Sequence, residues 1–207
     1  MGHRRHSRHR HCPGRRHRAR PRCSRDGAGR PHDRLRRQGD SLTSDIYLGL
    51  GANLGDRQAN LSSALRLLAP LVHVEAVSAL YESQPQPPAP PPDYLNAACR
   101  VSTSLTPQEL RRHTYDIERQ LGRVEGAHWS PRPLDIDILL FAGQVIETEE
   151  LVIPHRLLLE RAFVLQPLLD IDPELIHPLT GERLSDALQR LGASDLTKLA
   201  TDWYMAT

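Results

Sequence analysis

Two aspartates, Asp135 and Asp137, are the residues of this sequence whose type and spacing best suit chemistry. They lie in the run Arg132-Pro133-Leu134-Asp135-Ile136-Asp137-Ile138-Leu139-Leu140, where apolar residues flank each acid. Side chains two positions apart on a strand point to the same side, so this run would place two carboxylates next to each other. On a buried strand such carboxylates repel each other and lose hydration, which costs free energy unless a cation lies between them.

The cation that best fits this pair is Mg²⁺. It prefers oxygen ligands, and when a protein offers it only one or two carboxylates the remaining ligands usually include phosphate oxygens. Arg132 directly precedes the strand, and the loop before it contains one of the two tryptophans. A strand whose outer face carries two solvated acids would give the same pattern and is the competing interpretation. We therefore expect a magnesium site that acts on a phosphate compound.

The segments before this run predict alternating strands and helices. The short apolar run 46–51 ends in glycine and indicates a buried strand. The helix predicted over 56–69 stops at Pro70. A second strand is predicted over 72–82. The apolar face of the helix consists of Leu61, Ala64, Leu65 and Leu68.

A proline-rich loop and a second helix follow. Residues 83–93 contain six prolines in eleven positions, which favours an extended loop. After a strand predicted over 94–103, Thr106-Pro107-Gln108-Glu109 forms a capping box with proline at the first helical position. The helix should run to Leu121 and end at Gly122. Its core face is predicted to hold Leu110, Thr114, Ile117 and Leu121, with Arg111, Tyr115 and Glu118 on a different face.

The remaining segments complete the predicted fold. The aspartate strand should span 134–141, with Val145 and Ile146 as its hairpin partner, followed by helices over 157–168 and 184–191. The order β-α-β-β-α-β predicts an α+β fold, a ferredoxin-like α/β sandwich with additional C-terminal elements. The hairpin spacing favours a mainly antiparallel sheet.

Charge divides the chain into two segments. Residues 1–43 contain 14 arginines and six histidines but three aspartates, whereas residues 44–207 contain 13 Lys and Arg against 22 Asp and Glu. The first segment has almost no apolar residues with which to form a core, so we expect a disordered extension, 1–43, before one folded domain, 44–207. This extension has four possible interpretations: a solvated tail, an over-extended translation start, a basic arm for nucleic acid, or a targeting peptide.

The body of the chain argues against several classes of protein. An acidic domain lacks the clustered basic residues that nucleic-acid binding needs, so only the extension would make non-specific contact with nucleic acid. No apolar run approaches the roughly 18–20 residues that span a bilayer. The three cysteines, Cys12, Cys23 and Cys99, match neither a disulfide framework nor a zinc site. We therefore expect a cytoplasmic protein without membrane contact.

Five short motifs lie between about residues 45 and 188. They are Gly51-Ala52-Asn53-Leu54-Gly55-Asp56, Asp93-Tyr94-Leu95-Asn96-Ala97-Ala98, Gly122-Arg123, Trp129-Ser130-Pro131-Arg132-Pro133-Leu134-Asp135-Ile136-Asp137, and Pro154-His155 with Arg161 and Phe163. Together, and in matching order, these motifs resemble those of the hydroxymethyl-dihydropterin pyrophosphokinase family.

The resemblance implies transfer of pyrophosphate from ATP to the hydroxymethyl group of 6-hydroxymethyl-7,8-dihydropterin in folate biosynthesis, with AMP as the leaving group. It implies two Mg²⁺ held by Asp135 and Asp137, with ATP as co-substrate. Arg132 joins the two aspartates as a catalytic residue, because charge neutralisation is expected to carry most of the rate. The residues implied to contact the nucleotide are Glu118, Arg123, Trp129, Arg132, Ile138, His155 and Arg161.

For the pterin, the resemblance implies stacking between Tyr94 and Phe163 and recognition of the polar edge by Asn96. Tyr94 and Asn96 are two apart on a predicted strand and would face the same pocket. Backbone contacts are implied from the start of the proline-rich loop, at Ser83, Gln84 and Gln86. Without the resemblance, Phe163 would be interpreted as a core residue and each arginine as a surface residue.

Several positions depart from the family pattern. Ser83, Gln84 and Gln86 stand where the pattern has a more apolar loop, and the loop before Trp129 is one residue shorter. The other departures are Tyr115, Glu125 and Arg156, which lie near the expected nucleotide. Loops 83–93 and 123–133 are expected to close over the substrates. The rival hypothesis is a non-catalytic ferredoxin-like module that binds RNA through its basic arm. We also expect the chain to be a monomer.

Overall fold

The computed structural model describes residues 42–88, 90–124, 130–192 and 195–204. Most of the predicted extension, Trp129 and Glu125 lie outside these residues, so the predictions about them stay predictions. The described strands are β1 Thr43–Ala52, β2 Val72–Val77, β3 Leu80–Ser83, β4 Tyr94–Thr103, β5 Asp135–Phe141, β6 Ile146–Glu147, β7 Val152–Ile153 and β8 Leu196–Ala200. The α-helices are α1 Arg57–Leu68, α2 Pro107–Gln120, α3 Ala162–Ile171 and α4 Leu184–Leu191, and Leu158–Glu160 forms a 3₁₀ turn.

Local sequence explains where the first two helices begin. The Asp56 carboxylate accepts a hydrogen bond from the amide of Ala59 at 3.0 Å and caps α1. Thr106 and Glu109 form the predicted capping box, with Pro107 in the first turn of α2. Gly122, just after α2, has φ 94°, a left-handed conformation that suits glycine. The four apolar residues predicted to face the core from α1 are all buried: Leu61, Ala64, Leu65 and Leu68.

The main sheet is antiparallel throughout and contains six strands. Its strand order is β5-β1-β4-β3-β8, and β2 pairs with β4 beside β3. Strand β1 therefore lies between β4 and β5, although these strands are far apart in sequence. The predicted ferredoxin-like α+β fold with a mainly antiparallel sheet is confirmed.

Helices cover both faces of this sheet. On one face, Leu48 packs with Leu61 of α1 and Leu110 of α2 in the larger core. On the other face, Tyr47 packs with Leu165 of α3 in a second core that also includes residues of α4. Neighbouring residues of a strand point to opposite faces, so the pleat of β1 serves both cores.

Three predictions about the elements were wrong in detail, and one strand was not predicted. The strand predicted over 72–82 is two strands, because the chain breaks at Ser78 and Ala79, where the Ser78 side chain bonds the amide of Ala98 at 2.9 Å. The predicted hairpin partner of β5 instead pairs with β7 in a separate two-stranded sheet. The helix predicted over 157–168 is a 3₁₀ turn and a later helix, α3, with extended backbone at Arg161 between them. Strand β8 was not predicted.

None of the helices in the described ranges has both the length and the apolar character needed to cross a membrane.

Strand β8 is the terminal strand of the main sheet, next to β3, and Trp203 follows it. The indole nitrogen of Trp203 donates a hydrogen bond to the carbonyl oxygen of Ser78 at 2.8 Å. Trp203 is 9 % exposed and packs in the larger core. The C-terminal segment is therefore anchored at the break between β2 and β3.

We predict that Trp203→Phe lowers the free energy of unfolding by about 1–3 kcal/mol, because a buried carbonyl loses its donor while most of the apolar ring remains. Denaturant unfolding measures this change. Leu199→Ala is the control: this leucine of β8 is 50 % exposed, so its change should stay within about 0.5 kcal/mol. Equal losses in the two variants would contradict the anchoring role.

Candidate active site

A cavity of about 470 Å³ lies over β1, β4 and β5 beside α3. Its lining comes from segments that are far apart in sequence, from β1 to the start of α3. The structure brings most of the predicted site residues together here. They are Ser83, Gln84, Gln86, Tyr94, Asn96, Glu118, Arg123, Arg132, Asp135, Asp137, His155, Arg161 and Phe163.

The floor of the cavity is formed by two glycines of β1. Gly51 pairs with Asn96 of β4 on one side and with Asp135 of β5 on the other. Gly49 pairs with Asp137. A Cβ atom built on Gly51 would be in ordinary van der Waals contact with Oδ1 of Asn96 at 3.8 Å and Cδ1 of Tyr94 at 3.9 Å, so Gly51 presents bare backbone to the cavity beside these two side chains. The glycine floor lets a flat ligand approach the backbone between Asn96 and the aspartates.

Arginines neutralise the first of the two aspartates. The Nη1 atom of Arg123 lies 2.8 Å from Oδ1 of Asp135, and Nη1 of Arg132 lies 3.1 Å from Oδ2. Both carboxylate oxygens are therefore engaged by cations that reach the strand from the loop between α2 and β5. Asp135 and Asp137 lie on the same side of β5, as predicted, and the structure places both at the cavity.

Glu118 joins this cluster from the adjacent helix. Its side chain is 1 % exposed, and it contacts Nη1 of Arg123 at 2.5 Å. Its other oxygen accepts a hydrogen bond from the amide of Ile136 at 2.7 Å. Burial raises the pKa of Glu118 to about 7, and the charge of Asp135 adds to this effect, whereas the Ile136 amide and Arg123 oppose it. Sequence periodicity placed Glu118 away from the core, but it is buried because it satisfies an amide at the edge of β5.

Asp137 faces His155 across the cavity. The distance between Oδ2 of Asp137 and Nε2 of His155 is 3.9 Å. Burial and the neighbouring Asp135 raise the pKa of Asp137, whereas burial lowers the pKa of His155. The amide of Leu157 donates to Nδ1 of His155 at 3.2 Å, so the neutral ring carries its proton on Nε2. His155 therefore presents a hydrogen-bond donor to the cavity.

The opposite half of the cavity is suited to a flat polar ring. The side-chain amide of Asn96 donates to the hydroxyl of Ser83 at 2.9 Å, which leaves its carbonyl oxygen as an acceptor. Tyr94 and Phe163 supply aromatic surface at the same cavity. The guanidinium carbon of Arg161 lies 5.6 Å from the centre of the Phe163 ring, so the two side chains form a cation–π contact at the cavity.

Two residues that hold the loops in place were given no role by the sequence analysis. Asn53 accepts a hydrogen bond from the amide of Arg132 at 2.7 Å and donates one to the carbonyl of Pro92 at 3.3 Å, which ties loop 123–133 to loop 83–93. Arg57 bonds Glu82 at 2.7 Å and the carbonyl of Asp93 at 2.8 Å, at the two ends of loop 83–93. The one indication in the sequence that Asn53 has a role is its place in the motif 51–56, which resembles the family pattern.

One predicted site residue, Trp129, lies outside the described residues. Another, Ile138, does not line this cavity. It is buried in the larger core and lines a second cavity of about 390 Å³. This neighbouring cavity shares Arg111, Ile136, Asp137 and His155 with the first. Arg111, which the sequence analysis had placed on the same helix face as Glu118 without a role, thus lines both cavities.

Comparisons with known proteins agree with the sequence motifs. The sequence model of the family described as 7,8-dihydro-6-hydroxymethylpterin-pyrophosphokinase matches residues 47–173. A 2-amino-4-hydroxy-6-hydroxymethyldihydropteridine pyrophosphokinase of Methylorubrum extorquens is 43 % identical over 155 residues, which cover 74 % of this chain and 97 % of the relative. The corresponding protein of Aquifex aeolicus is 40 % identical and covers 68 % of this chain and 88 % of the relative.

Other similar proteins are much longer than this chain. The folic acid synthesis protein FOL1 of Dictyostelium discoideum is 43 % identical over 64 % of this chain, but that match spans 20 % of FOL1. The wild-type HPPK-DHPS crystal structure of Plasmodium falciparum has a TM-score of 0.59 and 15 % identity, and the match covers 74 % of this chain and 45 % of that one. At this identity the structural match supports the fold alone.

We predict that Asn53→Ala loosens both loops at once. Hydrogen exchange at the Arg132 amide should accelerate, and the free energy of unfolding should fall by about 1–3 kcal/mol, because Asn53 is 1 % exposed and its partners lose a buried bond. Asn60→Ala is the matched control, since Asn60 also bonds a backbone carbonyl, that of Leu54 at 3.1 Å, but at an exposed site. Unchanged exchange at Arg132 in the Asn53 variant would contradict the coupling.

Proposed function

We infer the reaction of this protein from its family: the chain belongs to the 7,8-dihydro-6-hydroxymethylpterin-pyrophosphokinase family. It is an ATP-dependent diphosphotransferase that transfers pyrophosphate from ATP to hydroxymethyldihydropterin in folate synthesis. The observation that carries this conclusion at the site is a single cavity that joins the carboxylate pair and the arginines to Asn96, Tyr94 and Phe163. The rival hypothesis of a non-catalytic RNA-binding module is not favoured.

The register of the sheet supports a specific arrangement of the two substrates. We propose that the pterin lies above the glycine floor between Tyr94 and Phe163, with its polar edge against Asn96. The phosphates of ATP would then lie on the β5 side. Asn96 and Asp135 flank Gly51 on opposite sides, so their Cα atoms are two strand spacings, about 10 Å, apart. This separation brings the hydroxymethyl group of the pterin towards the phosphates.

The carboxylate pair fits Mg²⁺, which we propose Asp135 and Asp137 hold as two ions. Among the described residues, no group of three or more His, Cys, Asp or Glu side chains is arranged to hold a metal ion. The proposed site therefore has only two protein ligands, the carboxylates of Asp135 and Asp137. Two carboxylates with phosphate and water as further ligands match the preference of Mg²⁺. When bound, Mg²⁺ would neutralise phosphate charge during the transfer.

The residues of the chain then have distinct tasks in the transfer. The hydroxymethyl oxygen attacks the β-phosphorus, and the bond from this phosphorus to the oxygen of the α-phosphate breaks as AMP leaves. Arg123, Arg132 and Arg161 would hold phosphate oxygens and stabilise their charge. The Nε2 proton of His155 makes that nitrogen a donor to a phosphate, so positioning and charge neutralisation account for the rate without a strong base.

We also propose that Trp129 closes over the nucleotide with loop 123–133 and that the chain acts as a monomer in the cytoplasm. The longer FOL1 and HPPK-DHPS proteins contain further sequence beyond the match to this chain.

The reaction is tested by mixing the protein with hydroxymethyldihydropterin, ATP and Mg²⁺ and measuring which nucleotide is formed. We expect AMP, because the β-phosphorus is the centre attacked. Formation of ADP, or of no nucleotide product, would contradict the proposal. We expect Asp137→Asn to lower turnover by about 10³-fold, since the loss of several kcal/mol of charge stabilisation costs about tenfold per 1.36 kcal/mol.

Asp116→Asn provides the matched control, because Asp116 is an exposed acid of α2 that does not line either cavity. Its turnover should equal that of the parent. Equal turnover of the Asp137 variant and this control would remove the carboxylate pair from the mechanism. Denaturant unfolding of both variants would verify that each is folded.

We predict that a chain lacking residues 1–41 retains the parental rate of AMP formation and the parental Tm. The reason is that this segment contains too few apolar residues to join the core. Initial rates and thermal unfolding of the two chains provide the comparison. A large loss in either quantity would show that the extension contributes to the folded domain.

A further inference from the structure

Arg111 lies at the junction of the two neighbouring cavities. It projects from α2 and lines both of them, together with Ile136, Asp137 and His155. The first cavity contains the carboxylate pair and Arg123, Arg132 and Arg161. A ligand that extends from one cavity into the other would lie beside the four shared residues, of which Arg111 is the only arginine.

The guanidinium group of Arg111 is poised for an anion. Its Nη1 atom is buried and has no hydrogen-bond partner among the residues that the structure describes. Its guanidinium carbon lies 5.7 Å from the centre of the Tyr115 ring, which holds the side chain by a cation–π contact. By contrast, Arg123 and Arg132 are engaged with Asp135. A buried donor without a partner costs free energy that a bound anion would recover.

The second cavity indicates which part of a ligand adjoins this cation. Five of the ten residues that line it are apolar: Ile136, Ile138, Leu151, Val152 and Leu157. The others are Arg111, Asp137 and His155, which it shares with the first cavity, and Glu150 and Arg156. Such a combination suits the base and sugar of a nucleotide better than its charged phosphates. The phosphates would then lie in the first cavity, and the phosphate nearest to the nucleoside would lie at the junction.

We propose that Arg111 binds the α-phosphate of ATP and stabilises the charge on the departing AMP. This assignment rests on the proposed function. As the bond between the β-phosphorus and the bridging oxygen breaks, that oxygen leaves with the α-phosphate and carries negative charge. A guanidinium group stays charged at all relevant pH values and can donate two parallel hydrogen bonds to a phosphate. Arg111 thus acts on the leaving group, whereas Arg123 and Arg132 lie beside the carboxylate pair.

A purely structural role for Arg111 makes a different prediction. Its positive charge lowers the pKa of Asp137 and of Glu118, although burial, the largest influence on each, raises both pKa values. If Arg111 only balanced these acids, Arg111→Lys, which keeps the charge, would bind AMP as the parent does. If Arg111 contacts the α-phosphate through paired hydrogen bonds, Arg111→Lys should weaken AMP binding and leave adenosine binding unchanged.

The experiment uses the full chain and measures the affinities for AMP and adenosine by calorimetry. Arg111→Met keeps the length and apolar surface of the side chain but removes its charge. Arg112→Met removes the same charge from the next position of α2, which is exposed and lines neither cavity. We expect Arg111→Met to weaken AMP binding roughly 10- to 100-fold and to leave adenosine binding unchanged, in line with the loss of a charged hydrogen bond. Arg112→Met should match the parent for both ligands.

Turnover provides a second measurement. Arg111→Met should lower kcat for AMP formation and leave the KM for the pterin unchanged. Arg111→Lys is measured beside it and separates phosphate contact from charge balance, also if Arg111→Met does not fold. Lysine retains the charge but not the two-pronged geometry, so a weaker, selective loss of AMP affinity is expected. Equal losses for AMP and adenosine, or parental AMP binding in the folded variant, would overturn the assignment. Failure of the parent to form AMP would instead contradict the proposed function.

Discussion

The active site depends on the antiparallel pairing of β1 with β4 on one side and β5 on the other. This register places Gly51 between Asn96 and Asp135. One residue without a side chain therefore separates Asn96, which we propose recognises the pterin, from Asp135, which we propose binds Mg²⁺. Backbone hydrogen bonds on both sides fix that spacing at the rigid centre of the sheet. A shift of one residue in β5 would turn Asp135 and Asp137 to the opposite face and remove the site from the cavity.

Charge balance is the second requirement of this arrangement. Two arginines, Arg123 and Arg132, form ion pairs with Asp135, and Arg123 also contacts the buried Glu118. The same arginines are the groups that we propose bind phosphate, so they would exchange a carboxylate partner for a phosphate partner when the substrates bind. The cluster therefore keeps cations near the reaction centre before the nucleotide arrives, while the acids limit the cost of burying them.

The loops over the cavity are anchored at their ends. Asn53 connects the backbone of both loops, and Arg57 connects the two ends of loop 83–93. All these bonds start from the segment that directly follows β1 or from the first turn of α1. The strand that forms the cavity floor is thus continuous with the residues that hold the loops above it, which links loop position to the sheet.

The sequence alone predicted the family, the fold and the residues gathered at the cavity, because these depend on local periodicity, capping and short motifs. Two aspartates on one face of a strand follow from the pleat, whatever the rest of the chain does. Other features required the tertiary structure. Glu118 is buried because it bonds the Ile136 amide at the edge of β5, and Arg111 meets the site because two cavities join beside α2. Strand β8 forms against β3 through long-range pairing. Contacts between segments distant in sequence decide such features, and local patterns do not encode them.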